Sequence, residues 1–134
     1  MPDPKSVLEA TTTIAVVGLS TNPMKAAYAI PAGLQASGFT VIPVHPSAGR
    51  ILGQQAYESL ADIPGAVDVV DVFRPAEEAP EIARQAVAIG AKVLWLQKGI
   101  VSEEARRIAE DGGLTYFEDL CMGVERARYG ITVE

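Results

Sequence analysis

The sequence predicts an α/β domain in which a parallel sheet of about five strands is covered by helices on both faces, giving three layers. Short β-rich apolar runs alternate along the chain with Ala-rich segments that have helical spacing. The apolar runs contain few polar positions, which is typical of parallel strands buried on both faces. Strand–helix–strand alternation of this kind indicates a doubly wound fold.

The elements follow in order from these patterns. The predicted strands are Thr13–Val17, Thr40–Val44, Val67–Phe73, Lys92–Leu96 and Thr115–Phe117. Apolar residues at helical spacing predict helices over 25–36, 76–89 and 102–111. Glycine follows each of these segments, as is common where helices end. Residues 50–66 have a weaker pattern, and we place a short helix around Ala56–Ala61.

Length and composition narrow the class of protein. The 134 residues predict one domain spanning 1–134, and a hydrophobic fraction of 49% can fill a core without disulfides or metal. The lone cysteine, Cys121, and the absence of a signal-peptide pattern lead us to expect a cytoplasmic protein. No apolar run is long enough for a membrane helix. A net charge of −6 argues against nucleic-acid binding.

The loop after the first strand is a candidate phosphate cradle, because ligands of such sheets bind at the carboxyl ends of the strands. Gly18 permits a tight turn, Ser20 and Asn22 offer polar groups, and Lys25 adds a positive charge near a helix N-terminus. The dinucleotide pattern G-x-G-x-x-G is not met, because Ser20 and Pro23 stand at its second and third glycines. An ordinary strand-to-helix turn is the alternative.

The loop after the second strand lacks the acidic residue that usually binds the ribose of NAD. His45 and Pro46 stand there instead, followed by Arg50, which suits the 3′-phosphate of coenzyme A or the 2′-phosphate of NADP. A solvated Arg50 is the alternative. His45 is the only histidine, which argues against a multi-histidine metal site, and a structural or adenine-contacting role is favoured over acid–base chemistry.

The loops after the third and fourth strands offer further contacts. Phe73 can stack on a ligand and Arg74 can meet a phosphate, although core packing of Phe73 and pairing of Arg74 with a nearby glutamate are the alternatives. Gln97 can hydrogen-bond an amide, and Gly99 lets the backbone approach closely. Cys121 is either a small buried residue or a reactive thiol.

Taken together, these loops resemble those of the small stand-alone CoA-binding domain proteins, which are similar to the N-terminal CoA-binding domain of the succinyl-CoA synthetase α subunit. The resemblance rests on five segments: Gly18–Pro23, Pro43–Pro46, Val72–Pro75, Leu96–Gly99 and Asp119–Met122. It covers roughly residues 5–130 and implies a Rossmann-like sheet with coenzyme A over the carboxyl ends of its strands.

The resemblance also implies which residues meet the cofactor. Gly18, Leu19, Ser20, Asn22 and Lys25 would meet the pyrophosphate. The adenosine would be bordered by Val44, His45 and Pro46, with Arg50 near the 3′-phosphate. The rest of the cofactor would be lined by Phe73, Arg74, Pro75, Gln97 and Gly99.

Three functional hypotheses remain open. The first is a non-catalytic module that binds coenzyme A or an acyl-CoA, which is favoured because the sequence shows no catalytic constellation. In the synthetase, a further domain carries a phosphorylated histidine, and no such domain is among these residues. The second is a small NADP-binding oxidoreductase. The third is a CoA-dependent thiol-exchange enzyme that uses Cys121. A protein partner or a homodimer is left open.

Overall fold

A five-stranded parallel sheet forms the centre of the molecule. The computed structural model describes residues 2–134. In chain order the strands are β1 Thr13–Val17, β2 Thr40–Val44, β3 Arg50–Ile51, β4 Gln54–Gln55, β5 Val69–Val72, β6 Val93–Leu96 and β7 Thr115–Phe117. The sheet has the order β2-β1-β5-β6-β7 with every pair parallel, whereas β3 and β4 form a separate antiparallel hairpin.

Five helices of the described residues cover this sheet on its two faces. They are α1 Pro4–Glu9, α2 Ala26–Ala36, α3 Ala79–Ala88, α4 Glu103–Asp111 and α5 Met122–Tyr129. Single 3₁₀ turns lie at Leu60–Asp62 and Ala76–Glu78. The predicted three-layer α/β class is confirmed. None of the helices in residues 2–134 is long and apolar enough to cross a membrane.

Two hydrophobic layers flank the sheet. On one face, α3 and α4 pack through small residues such as Ala83 and Ala109, and alanine lets helices approach a sheet closely. On the other face, α1, α2 and α5 cover larger residues, including the fully buried Trp95. The indole Nε1 of Trp95 donates to the Leu120 carbonyl at 2.8 Å, which satisfies its polar atom inside the core.

The segment between β2 and β5 differs from the prediction. The helix expected around Ala56–Ala61 is wrong; the chain instead forms the β3–β4 hairpin and only a 3₁₀ turn at Leu60–Asp62. Leu52 and Gly53 both have positive φ, at 55° and 73°, as the tight hairpin turn requires. Backbone bonds between Tyr57 and the end of β2 then draw the segment alongside the sheet.

The strand order determines where a groove can form. From β1 the chain crosses to β2 on one side, and from β5 it crosses to β6 on the other. The loops that leave β1 and β5 therefore diverge at their carboxyl ends. This divergence between neighbouring strands is the topological switch point at which α/β sheets bind ligands.

Candidate functional site

Two adjoining cavities lie over the carboxyl edge of the sheet at this switch point. The outer cavity, about 870 Å³, is bounded by the loops after β1, β2 and β5. The inner cavity, about 440 Å³, is bounded by the start of α2, the loop after β6 and Cys121. Both are lined by Lys25, Ala27 and Phe73, so they form one continuous groove.

Most of the residues singled out from the sequence lie along this groove. The outer cavity is lined by Gly18, Leu19, Ser20, Lys25, Val44, His45, Pro46, Phe73 and Arg74. Gln97 lines the inner cavity. Four more lie outside both linings: Asn22, Arg50, Pro75 and Gly99. The side chain of Leu19 is fully buried, so this residue presents mainly backbone to the groove.

Gly18 lets the loop after β1 pass close to the loop after β5. Its φ is +91°, a conformation that side-chain-bearing residues rarely adopt. A Cβ there would lie 2.7 Å from Cδ of Arg74 and 3.3 Å from the carbonyl carbon of Phe73. Glycine is therefore required both by the backbone conformation and by the space between the two loops.

A proline inside α2 fixes the other end of this loop. Pro31 has no N–H, so the Ala27 carbonyl one turn earlier loses its usual helical partner. The Ser20 N–H donates to that carbonyl at 3.0 Å. The β1 loop is thus held against the first turn of the helix. Sequence reasoning missed this contact, although a proline four residues after an alanine was a visible signal.

The N-terminus of α2 presents unpaired N–H donors beside the groove. Lys25 occupies the N-cap position without a side-chain capping bond. The N–H groups of Ala26 and Ala27 precede the first helical hydrogen bonds and have no partner within the helix. Such donors and the helix dipole attract an anion. In contrast, Ser20 Oγ and Asn22 Oδ1 already accept backbone N–H groups within the loop.

His45 has a structural role in the loop after β2. Its Nδ1 accepts the N–H groups of Ser47 at 3.1 Å and Ala48 at 3.0 Å. An accepting Nδ1 carries no proton, which leaves the N–H at Nε2. The ring therefore shapes the wall of the outer cavity. Among residues 2–134, no group of three acidic, histidine or cysteine side chains could hold a metal ion.

The outer cavity carries charges of both signs. Arg74 donates to Glu78 from Nε at 3.1 Å and from Nη2 at 2.7 Å, as its alternative reading predicted. This contact lowers the pKa of the Glu78 carboxyl. Glu77 and Glu81 line the same wall, with Glu58 elsewhere in the cavity. An anion is therefore better received on the Lys25 side than beside α3.

The four predicted residues outside the linings have other contacts. Arg50 is exposed in the β3–β4 hairpin, where its guanidinium donates to the Gly53 carbonyl. The Gly99 N–H donates to Asp119 Oδ1 at 2.7 Å, which ties the loop after β6 to the segment before α5. Asn22 forms a tight turn with Met24, and Pro75 precedes the 3₁₀ turn before α3.

The inner cavity is mostly apolar and has one buried polar group in its wall. Ala26, Ile30 and Ile100 supply apolar lining, whereas Gln97 is only 3% exposed. Its amide nitrogen donates to Asp71, a fully buried carboxyl on β5. Burial raises the pKa of Asp71 to about 7. Sequence reasoning assigned no role to Asp71 and missed this contact.

Comparison with known proteins now identifies the family. The family model described as CoA binding domain matches residues 12–127. The chain belongs to this family. The model covers both cavities, so the resemblance noted from the loops is confirmed at the level of the family.

Relatives place this domain both alone and within a larger enzyme. It is 38% identical to the uncharacterized protein YneT of Bacillus subtilis, over 92% of this chain and 91% of that protein. It is 33% identical to the ADP-forming acetate–CoA ligase II of Archaeoglobus fulgidus, over 73% of this chain. That match spans only 15% of the ligase, so the chain corresponds to one part of it.

Solved structures have the same fold. A hypothetical protein from Pyrococcus horikoshii superposes with a TM-score of 0.92 and 34% identity, over 96% of this chain and 90% of that one. The coverage of both chains shows that the same fold makes up most of that chain as well.

Proposed function

We propose that this protein binds coenzyme A, free or acylated, along the groove and acts as a binding module. The observation that supports this most directly is the continuity of the two cavities over the switch point. Coenzyme A is long and chemically divided, with phosphates and adenosine at one end and, at the other, an uncharged arm that contains amides and ends in a thiol. The groove changes in the same sense, from an outer cavity rich in charged residues to an inner cavity whose lining is mainly apolar, with Lys25 and Lys98 as its charged residues.

The pyrophosphate belongs at the junction of the β1 loop and α2. The free N–H groups of Ala26 and Ala27 face an anion there, and Lys25 supplies a full charge. Gly18 and the Leu19 and Ser20 backbone form the floor of this subsite, because the loop has no bulky side chain at its turn. Asn22 contributes by holding the turn that precedes Lys25.

The adenosine belongs against the loop after β2, beside Val44, His45 and Pro46. We assign the 3′-phosphate to Arg50, which lies on the hairpin that follows this loop. To reach the phosphate, the guanidinium must exchange its bond to the Gly53 carbonyl for one to the ligand. A charge-assisted bond to phosphate is stronger than one to a neutral carbonyl, so the exchange is favourable.

The pantetheine arm belongs in the inner cavity. Phe73 lines both cavities and guides the arm from one to the other, with Arg74 and Pro75 at the outer side of this passage. Gln97 is placed to hydrogen-bond an amide of the arm. Gly99 acts through its bond to Asp119, which holds the far wall.

Isothermal titration with coenzyme A, dephospho-coenzyme A and NADPH in parallel tests the proposal. We expect coenzyme A to bind more tightly than the other two, because only it carries both the 3′-phosphate and the pantetheine arm. Tighter binding of NADPH would favour the oxidoreductase hypothesis instead. If none of the three ligands bound, the proposed function would be wrong, although the assignments of family and fold would stand.

A second candidate function is thiol exchange at Cys121, because this half-buried thiol lines the inner cavity where the end of the pantetheine arm would lie. The Cys121 thiolate would attack the disulfide of oxidised coenzyme A, forming a mixed disulfide and releasing one coenzyme A thiolate. Intact-mass measurement after incubation with that disulfide tests it, with Cys121→Ser as control. An unmodified wild-type chain would exclude it.

A further inference from the structure

A buried carboxyl with an unpaired oxygen lies in the middle of the sheet. Asp71 is fully buried on β5, and its neighbours in register are Val16 and Trp95. Its Oδ1 accepts the Gln97 amide, whereas its Oδ2 has no partner among the described residues. Burying such a group costs free energy, and valine, which surrounds it on this strand, would not incur that cost. The position therefore requires an explanation beyond packing.

The contacts of Gln97 supply one. Its Oε1 accepts the N–H of Met122, the first residue of α5, at 3.4 Å. A backbone N–H can only donate, so this contact fixes the carbonyl of the amide toward α5 and its NH₂ toward Asp71. Gln97 is thus held in one orientation between a donor and an acceptor, at the wall of the inner cavity.

We propose that Asp71 is a positioning residue for the inner cavity, where it orients the Gln97 amide to receive an amide of the ligand's pantetheine arm. The inference rests on the proposed function. Gln97 Nε2 has two N–H groups and uses one on Asp71, and Oε1 has a second lone pair. One donor and one acceptor therefore remain on an amide that borders the cavity. Without Asp71, the amide loses the acceptor that orients it.

Asp71 lies among apolar side chains, so burial is the main influence on its pKa. Val16 and Trp95 on the adjacent strands are apolar, and the rise of its pKa to about 7 comes first from burial, opposed by hydrogen bonds from Gln97 and the Val72 backbone. The titratable groups on the elements covering this face are Lys5, Glu9, Lys25, Tyr28, Cys121, Glu125, Arg126, Arg128 and Tyr129. Lys5 pairs with Glu9, and Glu125 with Arg128, within their own helices.

A ligand arm that fills the cavity removes water from above Gln97, which further disfavours the charged carboxyl. We therefore expect affinity for coenzyme A to fall as the pH rises through about 7. A role in packing alone would leave affinity independent of this titration.

The experiment compares two ligands, three single variants and one double variant by isothermal titration. Adenosine 3′,5′-bisphosphate has the phosphates of the outer end but no pantetheine arm, so it reports on the outer cavity and on correct folding. We expect Asp71→Val to weaken coenzyme A about tenfold and the bisphosphate less than about twofold. Asp71→Asn keeps an acceptor for Gln97, so it should retain coenzyme A affinity and lose the pH dependence. Gln97→Met should reproduce the loss, and combining it with Asp71→Val should add little.

The outcomes separate this inference from the function on which it rests. If wild-type protein does not bind coenzyme A, the proposed function fails and the inference fails with it. If coenzyme A binds and Asp71→Val leaves its affinity intact, or weakens both ligands equally, the positioning role alone is overturned. Should Asp71→Val fail to fold, Asp71→Asn and Gln97→Met still decide the matter through the pH profile and the selective loss of coenzyme A.

Discussion

The outer and inner cavities adjoin on one edge of the sheet but are lined by different kinds of chemical group. The outer cavity consists of loops and exposed charges, with Lys25 and Arg74 facing a wall of glutamates. The inner cavity has mainly apolar walls, apart from Lys25 and Lys98, with Gln97 and Asp71 forming a hydrogen-bonded pair beneath its surface. Exposed charges are screened by water and salt, whereas a buried polar pair acts at full strength. The charges of the outer cavity can therefore attract many anionic ligands, whereas the buried pair of the inner cavity can discriminate between ligands by the arm that enters it.

The largest expected effect is on the free energy of unfolding, and it measures how much stability is lost by burying the Asp71 carboxyl. The pKa of Asp71 is about 7 in the folded chain against an ordinary 3.8, so between these values the folded state holds a proton that the unfolded state has released. Stability therefore falls as pH rises through this window, by up to about 1.4 kcal/mol per pH unit, and is constant above it. Asp71→Asn has no such dependence, so it should exceed the wild type by a few kcal/mol at about pH 8.

Urea denaturation of both proteins at about pH 5 and about pH 8 measures this difference. Other carboxyl groups titrate equally in the two chains, so subtracting the curves leaves the contribution of Asp71. If the free energies of unfolding of the two proteins changed in parallel between these pH values, Asp71 would stay ionised in the folded chain without a loss of stability. The contrast between a costly buried group in the inner cavity and exposed charges in the outer one would then fail.

The next effect concerns the charge at the start of α2. Lys25→Ala should weaken coenzyme A binding by ~1.5–3 kcal/mol, about 10- to 150-fold, because it removes a charge-assisted contact to phosphate. Arg107→Ala is the matched control, since it removes the same charge from an exposed position of α4, away from both cavities. Titration calorimetry compares the two. Equal losses would mean that net charge, rather than the helix N-terminus, governs attraction.

The sheet and the charged end of the groove were predictable because their signals are local. A strand such as Thr13–Val17 is recognised from its own apolar residues, and the loop after it from Gly18 and Lys25. The hairpin at Arg50–Gln55 was not recognised, because two-residue strands carry no periodicity and the turn depends on a positive φ at Leu52. Local sequence patterns identify only those elements that are long enough for the residue pattern to repeat within them.

The hydrogen bonds behind the inner cavity escaped prediction, although Gln97 was among the candidate residues, because they join residues that are distant in sequence. Asp71 and Gln97 meet only through the register of neighbouring strands, and Gln97 meets Met122 only once α5 is docked. A polar residue in an otherwise apolar strand was a visible signal, but its partner was not. Cys121 likewise joins the cavity through the docking of the segment before α5.

A smaller effect is expected at the hairpin. Arg50→Ala should weaken coenzyme A by about 1 kcal/mol, less than Lys25→Ala, because binding must first break the guanidinium bond to the Gly53 carbonyl. Dephospho-coenzyme A is the control ligand, since it lacks the 3′-phosphate and its affinity should not change. A loss that is the same for both ligands would remove Arg50 from the 3′-phosphate and point to a change in the hairpin itself.

The smallest effect concerns the glutamate wall, and it should have the opposite sign. Glu78→Gln removes a carboxylate that engages Arg74 and repels the ligand's phosphates, so coenzyme A should bind about two- to threefold more tightly at low salt. Glu104→Gln, on an exposed position of α4, changes net charge equally and controls for long-range attraction. Because both partners are about half exposed, the gain should shrink as salt screens the repulsion. Tightening that persists at high salt would mean that Arg74, once released, bonds the ligand directly, and the outer cavity would then select as well as attract.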